Sequence, residues 1–495
     1  MPNQGVHIVN AAAADPAEKD ATGGYGDFDF IVVSNRLPVD RVKTDDGESW
    51  RRSPGGLVTA LAPVMAKADG AWVGWHGAPD EELDEFDHDN MHLLPVPLSA
   101  SEVELYYEGF SNATLWPLYH DVIAPPEFHR TWWDSYQTVN RRFADAAATM
   151  AAKGATVWVQ DYQLQLVPQM LRKDRPDLKI GFFNHIPFPP LEIFAQLPWR
   201  RNIIEGLLGA DLIGFQRPSD TSNFLRCVRR FAGHTVRQQQ VHVRAEDGIS
   251  YVSRAESFPI SIDVDQITEL AKREDIIERS RQIRRELGDP KTVLLGVDRL
   301  DYTKGISHRL KAYGELLEDG KLTVEDASLI QVASPSRERV EQYRLLREEV
   351  EGTVGRINGT YDTMGSTAIR YLHHSYPVEE MVALYLAADV MLVTALRDGM
   401  NLVAKEYVAA RINNTGALVL SEFAGAADQL RQAVLVNPHD IDGLKASILG
   451  AIDMPDREAQ RRMRLMRRQV LQNDVERWSK NFLNALQQGD PENAQ

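Results

Sequence analysis

The sequence predicts an α/β protein with two doubly wound domains that face each other across a cleft. Three observations predict this fold class. The chain has 495 residues, too many for one ordinary core, and this length suggests about two to four domains. Short runs rich in Val, Ile and Leu recur without alternation, as in strands that are covered on both faces. Longer helical stretches separate these runs, which is typical of βαβ units in a parallel sheet.

The predicted strands form two sets along the chain. The first set comprises residues 28–35, 71–77, 92–98, 156–162, 179–185 and 211–216. The second set comprises residues 292–298, 328–334, 370–376, 389–395, 416–422 and 433–438. Between the sets lies "SFPISIDVDQ" (257–266), followed by a charge-rich helical stretch. We therefore place the main domain boundary near residue 260.

This boundary gives a scheme of two domains with flanking segments. Residues 1–26 lack the basic start and apolar core of a secretory signal, and we expect a disordered tail there. The remaining segments are a first domain (27–260), a second domain (261–470), a terminal helix (471–487) and a disordered tail (488–495). Asn473 is the expected N-cap of the terminal helix. An apolar stripe on this helix, from Val475 to Leu486, needs a surface to bury it, and the first domain is one candidate.

Composition and charge exclude several function classes. The net charge of −16 disfavours nucleic acid and anionic membranes as partners, since both favour basic surfaces. No apolar run is long enough to span a membrane. The single cysteine, Cys227, excludes an intrachain disulfide and a cysteine-rich zinc site, and we expect it to be a buried filler. The low cysteine content favours a cytoplasmic location.

The stretch "VTALRDGMNLVAKEYVAAR" (393–411) is the first candidate binding loop. It is predicted to be a strand, a loop and a helix in turn. Asp398 would accept hydroxyl groups at the strand end, and Gly399 permits close approach of a ligand. The first helical amides, from Asn401 to Ala404, would be free to bind phosphate oxygens. Alternatively, Asp398 is a capping residue and Glu406, about two turns further on, is a surface partner.

A second strand, loop and helix unit is "TVLLGVDRLDYTKGISHRL" (292–310). Arg299 and Lys304 flank its loop. Two cations at the end of a strand make a suitable pyrophosphate clamp. Alternatively, one of them pairs with Asp298 or Asp301. A second phosphate-suited loop in the same domain favours ligand binding.

Other polar or aromatic residues follow predicted strands or turns. Because the carboxyl ends of parallel strands share one edge of a sheet, such residues are expected to converge. They are Arg36, Gly55, Gly56, Tyr107, Trp116, Asp161, His185 and Arg337. The glycine pair alone is a weak signal, and His185 could instead be a core histidine.

Several motifs of other enzyme classes are missing from the sequence. No G-x-G-x-x-G follows a strand, which disfavours a dinucleotide oxidoreductase, and no P-loop motif occurs. The D-x-D pairs, such as that at 263–265, do not close a strand beside the candidate loops. We read these pairs as turns and predict no metal site.

Long, ordered motifs of this sequence resemble those of the retaining trehalose-6-phosphate synthases. The motifs are "VVSNRLPV", "PGGL", "GFSNATLWP", "VWVQDYQL", "GFFNHIPFP", "GVDRLDYTKG", "RDGMNLVAKEYVAA" and "LSEFAGAA". This family, glycosyltransferase family 20, belongs to the class with two Rossmann-like domains, called GT-B. The resemblance runs from about residue 28 to residue 485.

The resemblance implies a reaction and its substrates. Glucose moves from a nucleotide-diphosphate glucose, UDP-glucose or ADP-glucose, to glucose 6-phosphate, and the donor anomer is retained. The first domain would bind the acceptor and the second domain the donor. No cofactor or metal is implied. The family favours a homo-oligomer, a tetramer or a dimer, and no phosphatase-like extension follows the matched region.

The resemblance also assigns roles to individual residues. Implied catalytic residues are Arg299, Lys304, His185 and Asp398. Implied donor-binding residues are Gly55, Gly56, Arg299, Lys304, Tyr376, Asp398, Gly399, Met400, Asn401, Leu402, Val403, Ala404, Lys405 and Glu406. Implied acceptor-binding residues are Arg36, Tyr107, Trp116, Asp161 and Arg337.

Two other functions stay open at this point. One is another retaining GT-B glucosyltransferase, which would share the donor loops but not the sugar-phosphate pocket. The other is a non-catalytic sensor of sugar phosphates. Such a sensor could dispense with Arg299, Lys304 or Asp398, yet all three are present.

Overall fold

The computed structural model describes residues 25–44, 47–53, 58, 61, 65, 70–244, 248 and 250–488. The tails predicted at 1–26 and 488–495 lie outside these residues, apart from Tyr25, Gly26 and Gln488. Gly55 and Gly56 also lie outside the described residues.

The described strands form a ten-stranded sheet, a six-stranded sheet and a separate hairpin. In chain order the strands are β1 (Phe28–Arg36), β2 (Val39–Thr44), β3 (Gly47–Arg52), β4 (Ala71–Trp75), β5 (Phe86–His88), β6 (Met91–Pro95), β7 (Ala151–Gln160), β8 (Lys179–Phe183), β9 (Leu212–Phe215), β10 (Thr235–Arg237), β11 (Gln240–Arg244), β12 (Ser250–Ser257), β13 (Thr292–Arg299), β14 (Ala327–Ser334), β15 (Ile369–Leu372), β16 (Val390–Val393), β17 (Ala417–Ser421) and β18 (Val434–Val436).

Helices alternate with these strands. The α-helices of the described residues are α1 (Ala100–Glu102), α2 (Trp116–Tyr119), α3 (Arg130–Met150), α4 (Val167–Asp174), α5 (Leu191–Phe194), α6 (Arg200–Leu208), α7 (Pro218–Cys227), α8 (Val264–Leu270), α9 (Glu274–Glu286), α10 (Ile306–Glu318), α11 (Glu341–Tyr361), α12 (Val378–Ala387), α13 (Leu402–Ala410), α14 (Ile441–Ile452), α15 (Asp456–Gln472) and α16 (Val475–Gln487). Two π-helices span Val103–Leu115 and Val228–Ala232, and 3-10 turns span Tyr162–Leu164, Tyr302–Lys304 and Gly425–Asp428.

The ten-stranded sheet has a parallel centre and antiparallel edges. Its order is β10-β11-β12-β9-β8-β7-β1-β4-β6-β5. The run from β12 to β6 is parallel, whereas β5, β10 and β11 pair antiparallel. The chain order reverses between β1 and β7. We call the part of the chain built on this sheet the first lobe.

The six-stranded sheet has the strand order of a Rossmann fold. Its order is β15-β14-β13-β16-β17-β18, and every pair is parallel. Numbered from β13, this is 3-2-1-4-5-6, with the chain order reversing between β13 and β16. Ligands of such sheets bind outside the carboxyl ends of the strands at this reversal. We call this part of the chain the second lobe.

The twelve predicted strands are all present, so the predicted α/β class with two doubly wound sheets is confirmed. The prediction missed β2, β3, β5, β10, β11 and β12. These strands are short or alternate apolar with charged residues, as in "VDRVKT" and "SYVSRAES". A search for continuous apolar runs therefore passed over them.

The terminal helix α16 packs on the first lobe. Phe482 stacks on Trp158 with ring centroids 4.5 Å apart. At Gly181 of β8 and Gly214 of β9, an added Cβ would lie 2.9 Å and 2.8 Å from the Phe482 ring, so both positions require glycine for this packing. The N-cap is Asp474, which accepts from the Arg477 amide at 2.8 Å, so the prediction of Asn473 as N-cap is wrong by one residue.

The connection near residue 260 is bonded to both lobes. The Ile260 amide donates to Gln216 Oε1 of the first lobe at 2.9 Å. The Ile260 carbonyl accepts from Lys405 Nζ of the second lobe at 2.6 Å. Val475 of α16 donates its amide to the carbonyl of Ile262 at 3.1 Å.

Two smaller sequence predictions concern burial and membranes. Cys227 is fully buried, and burial raises the pKa of its thiol to about 12, as expected of a filler residue. Within the described part of the chain, no helix combines the length and the apolar content that crossing a bilayer requires.

Candidate functional site

A cavity of about 240 Å³ lies where the carboxyl ends of the two sheets face each other. First-lobe residues that line it follow β7 and β8 or belong to the helical segment 103–119 and its end. Second-lobe residues end β13 or follow β13, β14 and β16. The lining consists of Tyr107, Trp116, His120, Asp161, Tyr162, Gln163, His185, Ile186, Arg299, Lys304, Arg337, Asp398 and Gly399. The cavity thus sits at the chain reversals of both sheets.

Lys304 and Asp398 form a buried ion pair in this cavity. Lys304 Nζ donates to Asp398 Oδ2 at 2.6 Å, and Asn401 Nδ2 donates to the same oxygen at 3.2 Å. Burial acts to raise the pKa of Asp398, but Lys304 outweighs it and holds the pKa below its ordinary value. Asp398 is therefore an ionised acceptor with a second oxygen left for a ligand hydroxyl.

Arg337 belongs to a second charged cluster beside the first. Its Nη1 lies 3.0 Å from Asp301 Oδ2 and its Nη2 donates to the Tyr162 hydroxyl at 3.1 Å. Tyr343 donates its hydroxyl to Asp301 Oδ2 at 3.0 Å. The guanidinium carbon of Arg337 lies 3.7 Å from the Trp116 ring centre. Contacts to both terminal nitrogens and to one face fix this cation in one orientation, while its buried Nε has no hydrogen-bond partner among the described residues.

The acids near the second loop have other partners than those considered from the sequence. Asp298 pairs with the fully buried Arg309 at 2.6 Å, and Asp301 pairs with Arg337. Pairing of Arg299 or Lys304 with Asp298 or Asp301 is therefore wrong. Arg299 is exposed, lies 5.5 Å from the Trp116 ring centre, and has no ion pair among the described residues.

Asp161 and His185 are held together at the ends of β7 and β8. Asp161 adopts a φ of +72°, and its Oδ1 accepts from the amides of Tyr162 at 3.0 Å and His185 at 3.1 Å. Burial raises the pKa of Asp161 to about 6. Burial also lowers the pKa of His185 to about 3, so its ring is neutral at pH 7 and pairs with Gln160 Oε1.

Gly399 lies where the two lobes meet. A Cβ added to Gly399 would lie 2.3 Å from the carbonyl oxygen of His185 in the first lobe. Real Cβ atoms do not approach an oxygen this closely, so a side chain here would push the lobes apart. Gly399 therefore permits backbone contact across the cleft, and the close approach of a ligand stays a prediction.

The start of α13 is capped by its own chain. Asn401 adopts a φ of +76° and accepts the Ala404 amide on Oδ1 at 3.1 Å. The prediction that the Ala404 amide is free is therefore wrong. The amides of Leu402 and Val403, in the first turn, have no acceptor within the helix. Met400, Ala404 and Lys405 are buried, and Lys405 turns away from the cavity to Ile260.

Several predicted site residues do not line the cavity. Arg36 is nearly half exposed and donates to Asp40 at 3.3 Å. Tyr376 packs on His374 with ring centroids 4.4 Å apart. Glu406 accepts from the Tyr385 hydroxyl at 2.6 Å. Their predicted roles, like those of Gly55 and Gly56, stay predictions.

The structure adds lining residues that the sequence reading missed. They are His120, Tyr162, Gln163 and Ile186. Tyr162 and Ile186 directly follow predicted site residues, whereas His120 comes four residues after Trp116 and packs on its ring, with ring centroids 4.2 Å apart. The sequence suggested turns around Tyr107 and Trp116, whereas the chain forms a π-helix over Val103–Leu115 that runs directly into α2. Such π-helical segments are frequent at functional sites. Buried Asn112 accepts from Tyr162 and explains the polar content of this segment.

The arrangement suits an anionic, polyhydroxylated ligand. Cations come from Arg299, Lys304 and Arg337, while Asp161 and Asp398 offer acceptors for hydroxyl groups. The partly exposed ring of Tyr107 provides a surface on which a sugar ring can pack, whereas Trp116 is buried and carries Arg337 over its ring. Across the described ranges, no group of three or more His, Cys, Asp or Glu side chains has the arrangement of a metal site.

Comparisons with known proteins identify relatives along nearly the whole chain. The family model described as "Glycosyltransferase family 20" matches residues 28–488. The trehalose-6-phosphate synthase of Mycolicibacterium paratuberculosis is 57% identical over 479 residues, 95% of this chain and 97% of that protein. A structure of trehalose-6-phosphate from E. coli bound with UDP-2-fluoro glucose has a TM-score of 0.84 and 35% identity, covering 93% of this chain and 99% of that one. The α,α-trehalose-phosphate synthase (UDP-forming) of Burkholderia xenovorans in complex with glucose-6-phosphate has a TM-score of 0.84 and 35% identity, covering 92% and 99%.

Proposed function

The chain belongs to glycosyltransferase family 20, and on this premise we propose how its cavity carries out the family's reaction. The protein is a retaining glycosyltransferase that makes α,α-trehalose 6-phosphate from a nucleotide-diphosphate glucose and glucose 6-phosphate. The observation that carries the assignment of roles is the convergence of both lobes on one cavity with paired acids and cations.

Arg299 and Lys304 bind the diphosphate of the donor in this proposal. Arg299 supports the role because it is exposed at the cavity and forms no ion pair among the described residues. As the bond to the sugar breaks, negative charge grows on the departing diphosphate. Cations already placed beside the diphosphate stabilise that charge, and removing one comparable oxyanion-hole donor from an acyl-transfer enzyme typically costs about 2.7–4 kcal/mol.

Asp398 binds hydroxyl groups of the donor sugar. Its ionised carboxylate, held by Lys304 and Asn401, supports this role. The Lys304 ammonium has three donors, so it can contact Asp398 and a phosphate oxygen together. The pair would thereby connect the two parts of the donor between which the bond breaks. The first-turn amides of Leu402 and Val403 are the proposed further contacts to the diphosphate.

Trp116, Tyr107, Asp161 and Arg337 form the acceptor side. Arg337 over the Trp116 ring supports a role in binding the phosphate of glucose 6-phosphate, since a fixed guanidinium can bind two phosphate oxygens. Asp161 supplies an acceptor for the attacking sugar. Arg36 is proposed to add a second cation to the phosphate, which requires it to leave Asp40.

The transfer proceeds on one face of the donor sugar. The cavity-lining carboxylates are Asp161, fixed by two amides, and Asp398, fixed by Lys304. In this proposal both carboxylates bind sugar hydroxyl groups through their remaining oxygens, and the neutral His185 is bonded to Gln160. We therefore assign the proton acceptor to the leaving phosphate oxygen, which takes the proton of the attacking hydroxyl. The Arg299 and Lys304 charges make a metal ion unnecessary in this scheme.

The direct test is to identify the product. Purified protein is incubated with glucose 6-phosphate and, in parallel, UDP-, ADP- and GDP-glucose, with EDTA present. We expect α,α-trehalose 6-phosphate and one nucleoside diphosphate per disaccharide. A different disaccharide would favour another retaining glucosyltransferase, and binding of glucose 6-phosphate without turnover would favour a sensor. Activity that is lost in EDTA and restored by magnesium would contradict the metal-free scheme.

The same assay decides the base of the donor. The proposed contacts read the diphosphate and the sugar, which UDP-glucose and ADP-glucose share. The three donors are therefore compared by kcat/KM.

We further propose that the protein is cytoplasmic, on the basis of the single cysteine, and that it is a homo-oligomer, a tetramer or a dimer, on the basis of the family resemblance. Light scattering of the purified chain measures its oligomeric state.

A further inference from the structure

Arg397 directly precedes Asp398, yet its side chain points away from the cavity and across to the first lobe. Arg397 Nε lies 3.2 Å from Asp121 Oδ2, and Arg397 Nη2 lies 3.5 Å from Asp220 Oδ1. Only 13% of the Arg397 side chain is exposed. Asp121 follows α2 and Asp220 lies in the first turn of α7, so both acids belong to the first lobe. One guanidinium therefore bridges three elements of two lobes.

The burial of Asp220 makes this contact important for the arrangement of the lobes. The Asp220 side chain is completely buried. Burial raises the pKa of Asp220 to about 6, while the charge of Arg397 opposes this rise. An ionised carboxylate in such a place requires a compensating cation. If the lobes separated, Arg397 would leave and Asp220 would lose that cation, so the pair favours the closed arrangement.

A second ion pair crosses between the lobes in the opposite direction. Arg217, the residue before α7, donates from Nε and Nη2 to the two oxygens of Asp428, each at 2.8 Å. Asp428 ends the 3-10 turn Gly425–Asp428 of the second lobe. The Arg397–Asp220 and Arg217–Asp428 ion pairs thus both meet the start of one helix, α7.

The 3-10 turn with Asp428 also supports the loop that carries Asp398. The Gly425 amide donates to the Asp398 carbonyl at 3.2 Å, and the Ala426 amide donates to the Met400 carbonyl at 2.7 Å. The loop is therefore held at one side by Arg397 itself and at the other by a turn that is anchored through Arg217. A shift of α7 relative to the second lobe would act on Asp398 from both sides.

We propose that Arg397, with Asp121 and Asp220, forms an interlobe clasp that keeps the lobes closed and positions Asp398 over the donor sugar. Arg397 is a positioning residue: it does not line the cavity and acts through Asp398 and the lobe arrangement. This role rests on the proposed function, because it assigns to Asp398 a contact with the donor. Without the clasp, only a fraction of the ligand-free molecules is closed. The apparent Kd for substrate then equals the Kd of the closed form divided by that fraction.

The kinetic test uses Arg397→Met, which keeps length and removes charge. We expect KM for donor and acceptor to rise about tenfold or more, while kcat at saturation stays within about threefold of the wild type. Arg461→Met is the matched control, since Arg461 forms an exposed ion pair with Glu458 within α15 and does not line the cavity. A large fall in kcat with KM unchanged would place Arg397 in the chemical step and overturn the proposal.

Small-angle X-ray scattering of the ligand-free proteins tests the clasp without any turnover. Arg397→Met is expected to have a larger radius of gyration than the wild type and to return to it when both substrates are added. Unchanged scattering of the free variant together with unchanged KM would refute the clasp. If the wild type made no disaccharide with any donor, the proposed function would fail, while the scattering would still decide whether Arg397 holds the lobes together.

A double-mutant cycle with Asp220→Asn identifies the partner. If Arg397 acts through Asp220, the double variant should raise KM no more than Arg397→Met alone, whereas independent effects would multiply. Asp121→Asn should have the smaller effect because Asp121 is partly exposed. Multiplicative effects of Arg397→Met and Asp220→Asn would contradict the assignment. Thermal unfolding of each variant confirms that the compared proteins are folded.

Discussion

Lys304 and Asp398, 94 positions apart in the chain, meet at 2.6 Å in the cleft. Lys304 comes from the loop after β13 and Asp398 from the loop after β16, the two strands between which the chain order of the second sheet reverses. The ion pair therefore marks the point where this fold binds ligands. It also joins the proposed sites for diphosphate and sugar.

Replacing Asp398 by Asn should uncouple these two sites. Asp398→Asn keeps the shape but removes the charge that binds Lys304 and accepts sugar hydroxyls. We expect kcat to fall about 10²–10³-fold, as for loss of one group that stabilises a transition state. Steady-state kinetics with both substrates measures it. A variant with wild-type kcat would remove Asp398 from contact with the reacting sugar.

Gly399 tests the contact between the lobes. In Gly399→Ala the new Cβ would collide with the His185 carbonyl oxygen, which it would meet at 2.3 Å, so the cleft cannot close fully. We expect kcat/KM to fall by at least about tenfold. Gly355→Ala in α11 is the matched control, because its Cβ meets no atom within 4 Å. That control should keep full activity and gain up to about 1 kcal/mol in the free energy of unfolding.

The raised pKa of Asp161 predicts that binding of the acceptor weakens at acid pH. Its folded pKa of about 6 lies above its ordinary 3.8, so the carboxylate takes up a proton as the pH falls through about 6. The protonated form no longer accepts the hydroxyl of the acceptor as a charged group. We expect KM for glucose 6-phosphate to rise below pH 6 in the wild type. Asp161→Asn should have a high KM at every pH and a smaller rise below pH 6, since only the substrate phosphate, with a second pKa of about 6, then changes its charge.

The same pKa predicts the effect of Asp161→Asn on stability. A raised folded pKa means that the folded state holds the proton more tightly than the unfolded state between pH 3.8 and about 6, so stability falls as the pH rises through this window. At neutral pH the buried charge of Asp161 lowers the free energy of unfolding of the wild type by up to about 3 kcal/mol. Asp161→Asn should therefore unfold at a higher temperature at pH 7 while being less active. Calorimetry at pH 7 showing a less stable variant would contradict this sign.

Sequence patterns predicted the sheets well because buried parallel strands are continuous apolar runs. The predicted strands also gave the positions of the strand ends. The site residues predicted at or near those ends all line one cavity: Asp161, His185, Arg299, Lys304, Arg337 and Asp398. The missed strands β2, β3 and β10 to β12 contain charged residues between their apolar ones. The position of these strands in the structure depends on the strands with which they pair. A local sequence pattern does not contain that information.

Side-chain direction was the other limit. Lys405 and Arg397 lie in the same motif as Asp398, yet one turns to Ile260 and the other to Asp220. Asn401, directly before the helix, is of a type that often serves as an N-cap, but the prediction considered Asp398 as the capping residue and left the Ala404 amide free. Contacts between the lobes depend on how two sheets meet, and no spacing within one motif encodes that.

The central claim is that built-in positive charge from the second lobe stabilises the departing nucleoside diphosphate. Its most direct test is the single-turnover rate of glucose transfer by Arg299→Ala, measured in EDTA with donor and acceptor both saturating. Arg299 is exposed and unpaired among the described residues, so the variant should fold normally. We predict a rate about 10²–10³-fold below the wild type. A rate equal to that of the wild type would contradict the account.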